Sequence, residues 1–201
     1  ALETYHADGN VADELAALEA LATLSLDHAD YENVLKYVDQ GTSLAQEADN
    51  PQREGHMLAL LGDLQTMLGR APGAETAYKE AISAFERTEA EQDIGLTLDK
   101  LAGLYLELGR FDEVVTALER AIPIFERADC TDCLIGAFDK LGDAHFELVH
   151  NDQARASYTR VLSLARQADD LQGLFAALSK LGELLEDMGE RDQALLCFQQ
   201  A

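Results

Sequence analysis

The pair of cysteines in the segment 130–133, Cys-Thr-Asp-Cys, is the motif with the clearest potential for chemistry. Two thiols separated by two residues are typical of a disulfide redox centre or of half of a zinc site. Zinc needs four ligands, and the sequence has neither a second such pair nor histidines at metal-binding spacing, so we expect no metal. The motif lies in a loop before a predicted helix, whose positive end would favour the thiolate of Cys133. A thiol redox function and two free or adventitiously oxidised thiols therefore both remain open.

The other reactive side chains do not form a catalytic set. His6, His28 and His56 are isolated from one another, and Cys197 falls within an apolar helix pattern. The many Asp and Glu residues produce carboxylate pairs by chance, but nothing supplies an activated nucleophile, a phosphate-binding loop or an oxyanion hole. We therefore expect no enzyme activity and no cofactor.

Composition predicts an all-α protein and excludes two classes of partner. The 201 residues include 33 Leu and 31 Ala but no Trp, which disfavours a β-sandwich or barrel. The formal net charge of −23 repels phosphate backbones and anionic lipids, so we expect neither nucleic-acid nor membrane binding. No apolar run approaches the length of about 18 residues that a membrane span needs. An odd number of cysteines, 3, does not suggest a disulfide framework and favours a cytoplasmic location.

An internal repeat organises the chain. The segment 101–109 has close counterparts at 61–69 and 181–189, so the pattern recurs with a period of 40 residues. Each period contains two apolar stripes at helical spacing, such as the one from Leu98 to Leu108 and the one from Val114 to Phe125. The sequence therefore predicts a single array over 1–201, with units at about 15–54, 55–94, 95–134, 135–174 and 175–201 and with 1–14 as the end of a preceding unit.

Residues at the predicted turns support a helical hairpin in each unit. Gly69, Gly109 and Gly189 follow the first stripe, where a helix ends in a left-handed residue. Acidic residues then fall in the first turn of the second helix, where the helix dipole favours them: Asp112, Asp152 and Asp192. Pro123 lies inside a second helix and predicts a bend at about residues 119–124, because it removes one backbone hydrogen bond.

These motifs resemble the tetratricopeptide repeat. The Leu-Gly pair, the small residue, the aromatic residue and the alanine of that motif are Leu61-Gly62, Ala74, Tyr78 and Ala81, and they recur at 181–182, 194, 198 and 201. The 40-residue period is similar to that of the long-repeat subclass in Pins-type adaptors, kinesin light chains and bacterial regulators. The resemblance implies an α-solenoid of stacked antiparallel hairpins that binds proteins in a concave groove lined by first helices. It also assigns His145 to an aromatic core position and His150 to a turn.

The resemblance also indicates which residues would face the groove. One row contains three of the chain's five lysines, and a second row, three residues further on, is acidic. In Pins-type proteins these rows are commonly Asn, so a ligand of the Pins type is not expected, and a clamp for C-terminal carboxylates would be repelled by the acids. A groove that binds a peptide and ordinary i,i+3 pairs, such as Lys140 with Asp143 or Lys180 with Glu183, are both open interpretations. The candidate groove residues are Lys100, Lys140, Lys180, Asp63, Asp143, Glu183, Asp99 and Asp139.

Three functions follow from the sequence. The first is a non-catalytic scaffold for a partner protein or peptide, the second is the sensor segment of a larger signalling or transcription-regulating protein, and the third is thiol redox chemistry at the cysteine pair. Ala1 and Ala201 have the same repeat position, partway along a second helix, so we expect the chain to belong to a longer protein. With no polar capping helix, Leu195 and Phe198 should be exposed and could support self-association through helix ends.

Overall fold

The computed structural model describes residues 11–201 and contains only α-helices and turns in that range. Ten helices follow one another along the chain, and their bounds are α1 Val11–Asp27, α2 Tyr31–Glu47, α3 Pro51–Met67, α4 Ala71–Glu86, α5 Glu91–Glu107, α6 Phe111–Arg127, α7 Thr131–Glu147, α8 Asn151–Gln167, α9 Leu171–Asp187 and α10 Arg191–Gln200. The predicted all-α fold, an α-solenoid of antiparallel helical hairpins, is confirmed.

The helices follow the 40-residue period closely. The first helix of each hairpin begins at residue 11, 51, 91, 131 or 171, four residues before the corresponding predicted unit boundary. Residues 11–14 form the first turn of α1 rather than the end of an earlier unit. Ala1 and His6 lie outside the described residues.

The turns between helices share one backbone conformation. Gly69, Gly109 and Gly189 have φ values of 67°, 67° and 80°, which confirms their prediction as left-handed helix ends. The same turn position, every 20 residues, is left-handed in six further turns even though the residue is not glycine: Ala29, Asp49, Glu89, Asp129, Val149 and Asp169. The repeat therefore fixes the turn geometry even where the side chain disfavours it.

The chain divides into two compact units, residues 1–97 and 98–201, and each has its own core. Within each unit, helices pack against their neighbours in the chain, and first helices also contact each other, α1 with α3 and α7 with α9. Leu18, Val34, Met57 and Leu64 are among the buried residues of the first core. The second core includes Tyr158, Val161, Leu178, Leu181 and Leu184.

Small residues allow the two helices of a hairpin to approach. A methyl group added at Gly142 would lie 2.4 Å from the ring of Tyr158, and the same crossing pairs Gly62 with Tyr78 at 2.4 Å. In the last hairpin the aromatic residue is Phe198, at 2.5 Å from a methyl group built on its glycine partner. The small-residue pattern read from the sequence therefore reflects an aromatic ring packed on a helix backbone.

Three further sequence predictions concern single positions. Helix α6 continues through Pro123 without interruption, and a bend there remains a prediction. Leu108, assigned to an apolar stripe, is 44% exposed because it follows the last turn of α5, whereas Leu98 and Tyr105 are buried. Leu195 and Phe198 are 57% and 42% exposed, which confirms that this face of α10 is open in the chain.

Candidate functional site

The candidate groove residues of residues 98–201 lie on three first helices. Asp99 is on α5, Asp139, Lys140 and Asp143 are on α7, and Lys180 and Glu183 are on α9. Residues three or four apart share one face of an α-helix, so the lysine and acidic rows run side by side from hairpin to hairpin.

The lysines of this unit bind carboxylates of the preceding hairpin. Lys140 Nζ lies 2.9 Å from both carboxylate oxygens of Asp99. Lys180 Nζ donates to Asp139 Oδ1 and Asp143 Oδ2, each at 2.8 Å. The interpretation of these lysines as i,i+3 partners of residues on their own helices is therefore wrong, since stacking of hairpins brings the row of the preceding helix closer. The ammonium groups link repeats and are not free cations.

A tyrosine hydroxyl completes the network around Lys180. Tyr158 on α8 is buried, and its hydroxyl donates to Asp143 Oδ1 at 2.9 Å. Burial and the adjacent Asp143 carboxylate raise the pKa of Tyr158, so the hydroxyl remains a donor. Burial opposes the charge on Lys180, but its hydrogen bonds to Asp139 and Asp143 outweigh that penalty and raise its pKa. Asp143 is thus held by two donors in a fixed position.

A cleft of about 390 Å³ opens beside this network. It combines an apolar wall with polar groups of both signs, and its lining residues are Leu106, Phe111, Asp143, Phe146, Glu147, Tyr158, Lys180 and Glu183. Glu147 and Glu183 are exposed, and neither has a hydrogen-bond or ion-pair partner within residues 11–201. The cleft therefore offers aromatic surface together with two carboxylates available to a ligand.

The remaining candidate residues lie at equivalent repeat positions. Asp63, in the unit 1–97, accepts a hydrogen bond from the Tyr78 hydroxyl at 2.8 Å, as Asp143 does from Tyr158. Lys100 is exposed on α5. In the last hairpin the tyrosine is replaced by Phe198, so no hydroxyl from that position restrains Glu183.

His56, which the sequence suggested was isolated, lies instead between two carboxylates. Its Nδ1 is 3.2 Å from Glu19 Oε1 and its Nε2 is 3.3 Å from Asp93 Oδ2, while Arg53 also pairs with Glu19. The contact with Glu19 raises the pKa of His56 against the effect of burial, and Asp93 adds to the rise. Burial alone would raise the pKa of Glu19, but His56 and Arg53 lower it. Glu19 has the same repeat position as Asp99, which was the available sequence signal.

His145 and His150 behave as structural residues. Their ring centroids are 5.7 Å apart, and Nδ1 of His145 is buried without a hydrogen-bond partner among the described residues. Burial, followed by the neighbouring His150, lowers the pKa of His145, so its imidazole is neutral. His28, by contrast, contacts its own helix, with Nδ1 2.8 Å from the Leu24 carbonyl oxygen.

The cysteine pair forms a disulfide, with Cα atoms 5.3 Å apart. Cys130 is the N-cap of α7 and Cys133 lies in its first turn, so the motif is at a helix start as predicted. Cys197 is a free, partly buried thiol packed against the second core. Residues 11–201 contain no group of three or more His, Cys, Asp and Glu arranged to hold a metal ion. No helix in that range is both long enough and apolar enough to cross a bilayer.

Comparisons with known proteins agree with the repeat. Two tetratricopeptide repeat family models match residues 53–127 and 177–201. No curated protein sequence matches the chain.

Among solved structures, BtubC (BKLC) from P. vanneervenii has a TM-score of 0.84 at 20% identity, covering 98% of this chain and 81% of its own. A Podospora anserina protein with nearly identical TPR-like repeats has a TM-score of 0.73 at 15% identity, with 93% and 92% covered. The STAND protein with a tetratricopeptide repeat sensor from Pyrococcus horikoshii has a TM-score of 0.78 at 10% identity, covering 96% of this chain and 31% of its own. At these identities the structural similarity concerns the fold. The repeat sequence, the two family matches and the fold together show that the chain belongs to the tetratricopeptide repeat family, with a period of 40 residues.

Proposed function

We propose that the chain is a non-catalytic interaction scaffold that binds a peptide or a domain of a partner protein on its first helices. The observation that supports this most strongly is the cleft beside Lys180, where aromatic side chains lie next to the unpaired carboxylates of Glu147 and Glu183. A surface of this kind buries apolar side chains of a ligand and fixes its orientation with a few polar contacts. No arrangement of a nucleophile and a base accompanies it.

The two groups of charged residues have different roles in this proposal. Glu147 and Glu183 accept hydrogen bonds from backbone amides or cationic side chains of the partner. Lys140 and Lys180 position the carboxylates of Asp99, Asp139 and Asp143 and so keep adjacent hairpins in register. Lys100 and Asp63 are candidate contacts on the same repeat positions.

The net charge of the chain favours a basic partner. At −23, long-range attraction accelerates the approach of a cationic surface and repels nucleic acid and anionic lipid. The proposal therefore commits to a protein or peptide ligand, with a cytoplasmic location as a further prediction from cysteine usage.

A library of random peptides displayed on phage and selected against the intact chain tests this function. Selected peptides should bind at least about tenfold more weakly to the double variant Glu147→Gln/Glu183→Gln, because each charged hydrogen bond contributes about 1.5–3 kcal/mol. The matched control is Glu126→Gln, an exposed carboxylate on the second helix α6, which should leave affinity unchanged. No selected peptides, or equal loss in the control, would contradict the proposal.

A second candidate function is the sensor segment of a larger signalling protein. The observation in its favour is the similarity in fold to the STAND protein with a tetratricopeptide repeat sensor, over 96% of this chain. In that case a small inducer, rather than a protein, binds the cleft. Thermal unfolding in the presence of a panel of small signalling molecules tests it, since a ligand at 100 times its Kd stabilises the folded state by about 2.7 kcal/mol.

A further inference from the structure

The helices that follow the turns between hairpins differ in how their first turns are held. Residues 50, 90, 130 and 170 occupy the same position, immediately before α3, α5, α7 and α9. Asn50 Oδ1 accepts a hydrogen bond from the backbone N–H of Arg53 at 3.1 Å. Asp170 Oδ1 accepts from Gln172 and Gly173 N–H at 3.1 and 3.0 Å. These side chains satisfy amide groups that the helix itself leaves without partners.

Cys130 occupies the same N-cap position but makes no hydrogen bond with its side chain. It is joined by the disulfide to Cys133, three residues later. In the turns before α3 and α9, the side-chain hydrogen bond connects the same two positions, from 50 to 53 and from 170 to 173. The covalent bond therefore lies where the repeat otherwise places a capping hydrogen bond.

From this correspondence we propose that Cys130 and Cys133 form a reversible dithiol–disulfide modification site that holds the start of α7 when oxidised and releases it when reduced. The co-reactant is a small thiol–disulfide couple such as glutathione. One external thiolate attacks a sulfur of the disulfide and forms a mixed disulfide, and the other cysteine leaves as a thiolate. A second external thiol then displaces the protein sulfur. Two external thiols supply two electrons and two protons, and they leave as one external disulfide.

The position of the bond suits such exchange. Both cysteines are partly exposed, so an external thiol can reach them. Either thiolate produced by reduction lies at the positive end of a helix of 17 residues, where negative charge is stabilised. Helix α7 also carries Asp139, Lys140 and Asp143, so the oxidation state acts on the helix at the centre of the charged network.

The first experiment is to equilibrate the intact chain in buffers of varied glutathione and glutathione disulfide ratio, alkylate free thiols and weigh the products. We expect a two-electron transition between a form with one alkylated cysteine, Cys197, and a form with three. Failure of the pair to oxidise at any ratio would overturn the proposal.

The second experiment compares thermal unfolding of the oxidised and reduced chain. The cross-link closes a loop of about four residues, and the oxidised chain should unfold about 3–7 °C higher. Cys133→Ser should give the lower Tm under both conditions. In Cys130→Asp/Cys133→Ser the aspartate reproduces the cap seen at Asp170, so its Tm should exceed that of Cys133→Ser and be independent of redox state. Equal Tm for the oxidised and reduced wild-type chain would overturn the proposed control of α7, whether or not the cleft binds a peptide.

Discussion

Val149 is the residue whose replacement should most clearly increase stability. It lies in the turn between α7 and α8 with φ of 59°, in the left-handed region, and its side chain is 75% exposed. A left-handed conformation costs an L-residue about 1–2 kcal/mol, and branching at Cβ places valine at the upper end. Glycine avoids this strain but gives the unfolded chain more freedom, which costs about 0.4–1 kcal/mol. Because so little of the valine is buried, Val149→Gly should stabilise the protein by about 0.5–1 kcal/mol.

The assay is urea unfolding followed by circular dichroism, with thermal unfolding as a second measure. The stabilisation corresponds to a rise in Tm of about 1–4 °C for a chain of this size. The reverse substitution, Gly109→Val, is the matched control: its φ is 67° and a Cβ there would meet no atom closer than 3.9 Å, so strain alone should destabilise it. A Val149→Gly variant that is less stable than wild type would refute the argument that the turn imposes this conformation on its residue.

Two further predictions concern helix packing and charge. Gly142→Ala should destabilise the chain by about 1–3 kcal/mol in urea unfolding, because the added methyl group would lie 2.4 Å from an aromatic ring. Gly136→Ala on the same helix, where the nearest atom is 3.8 Å away, should instead be neutral or stabilising, and equal effects would contradict the packing argument. Because the folded-state pKa of His56 is raised by Glu19 and Asp93, its stabilising effect is complete below the unfolded pKa of about 6.5 and is lost as pH rises through the folded value. The stability difference between wild type and His56→Gln should therefore shrink between acidic and alkaline pH, and a difference independent of pH would count against the two-carboxylate contact.

The sequence was sufficient to predict the repeat because each period repeats the same local physics. A glycine after an apolar stripe, as at Gly109, predicts a left-handed turn by itself, and the glycine at 142 predicts a close helix approach. The sequence did not reveal that Val149 and five other non-glycine residues adopt the same turn, because there the conformation is imposed by packing of the two helices.

The candidate site could be predicted in position but not in connectivity. Rows of lysine and acid were visible at 40-residue spacing, yet their pairing depends on how far one hairpin is displaced against the next. Lys180 therefore contacts Asp139 and Asp143 of the preceding hairpin, 41 and 37 residues away. His56 was missed for the same reason, since its partners Glu19 and Asp93 belong to neighbouring hairpins.

The central claim is that first helices of the unit 98–201 form a protein-binding surface. The most direct measurement is hydrogen–deuterium exchange of the intact chain with and without a saturating library-selected peptide. The account predicts slower exchange in α7 and α9, which carry Glu147 and Glu183, with little change in the second helices α6 and α8. Protection confined to the second helices, or none at saturation, would contradict it.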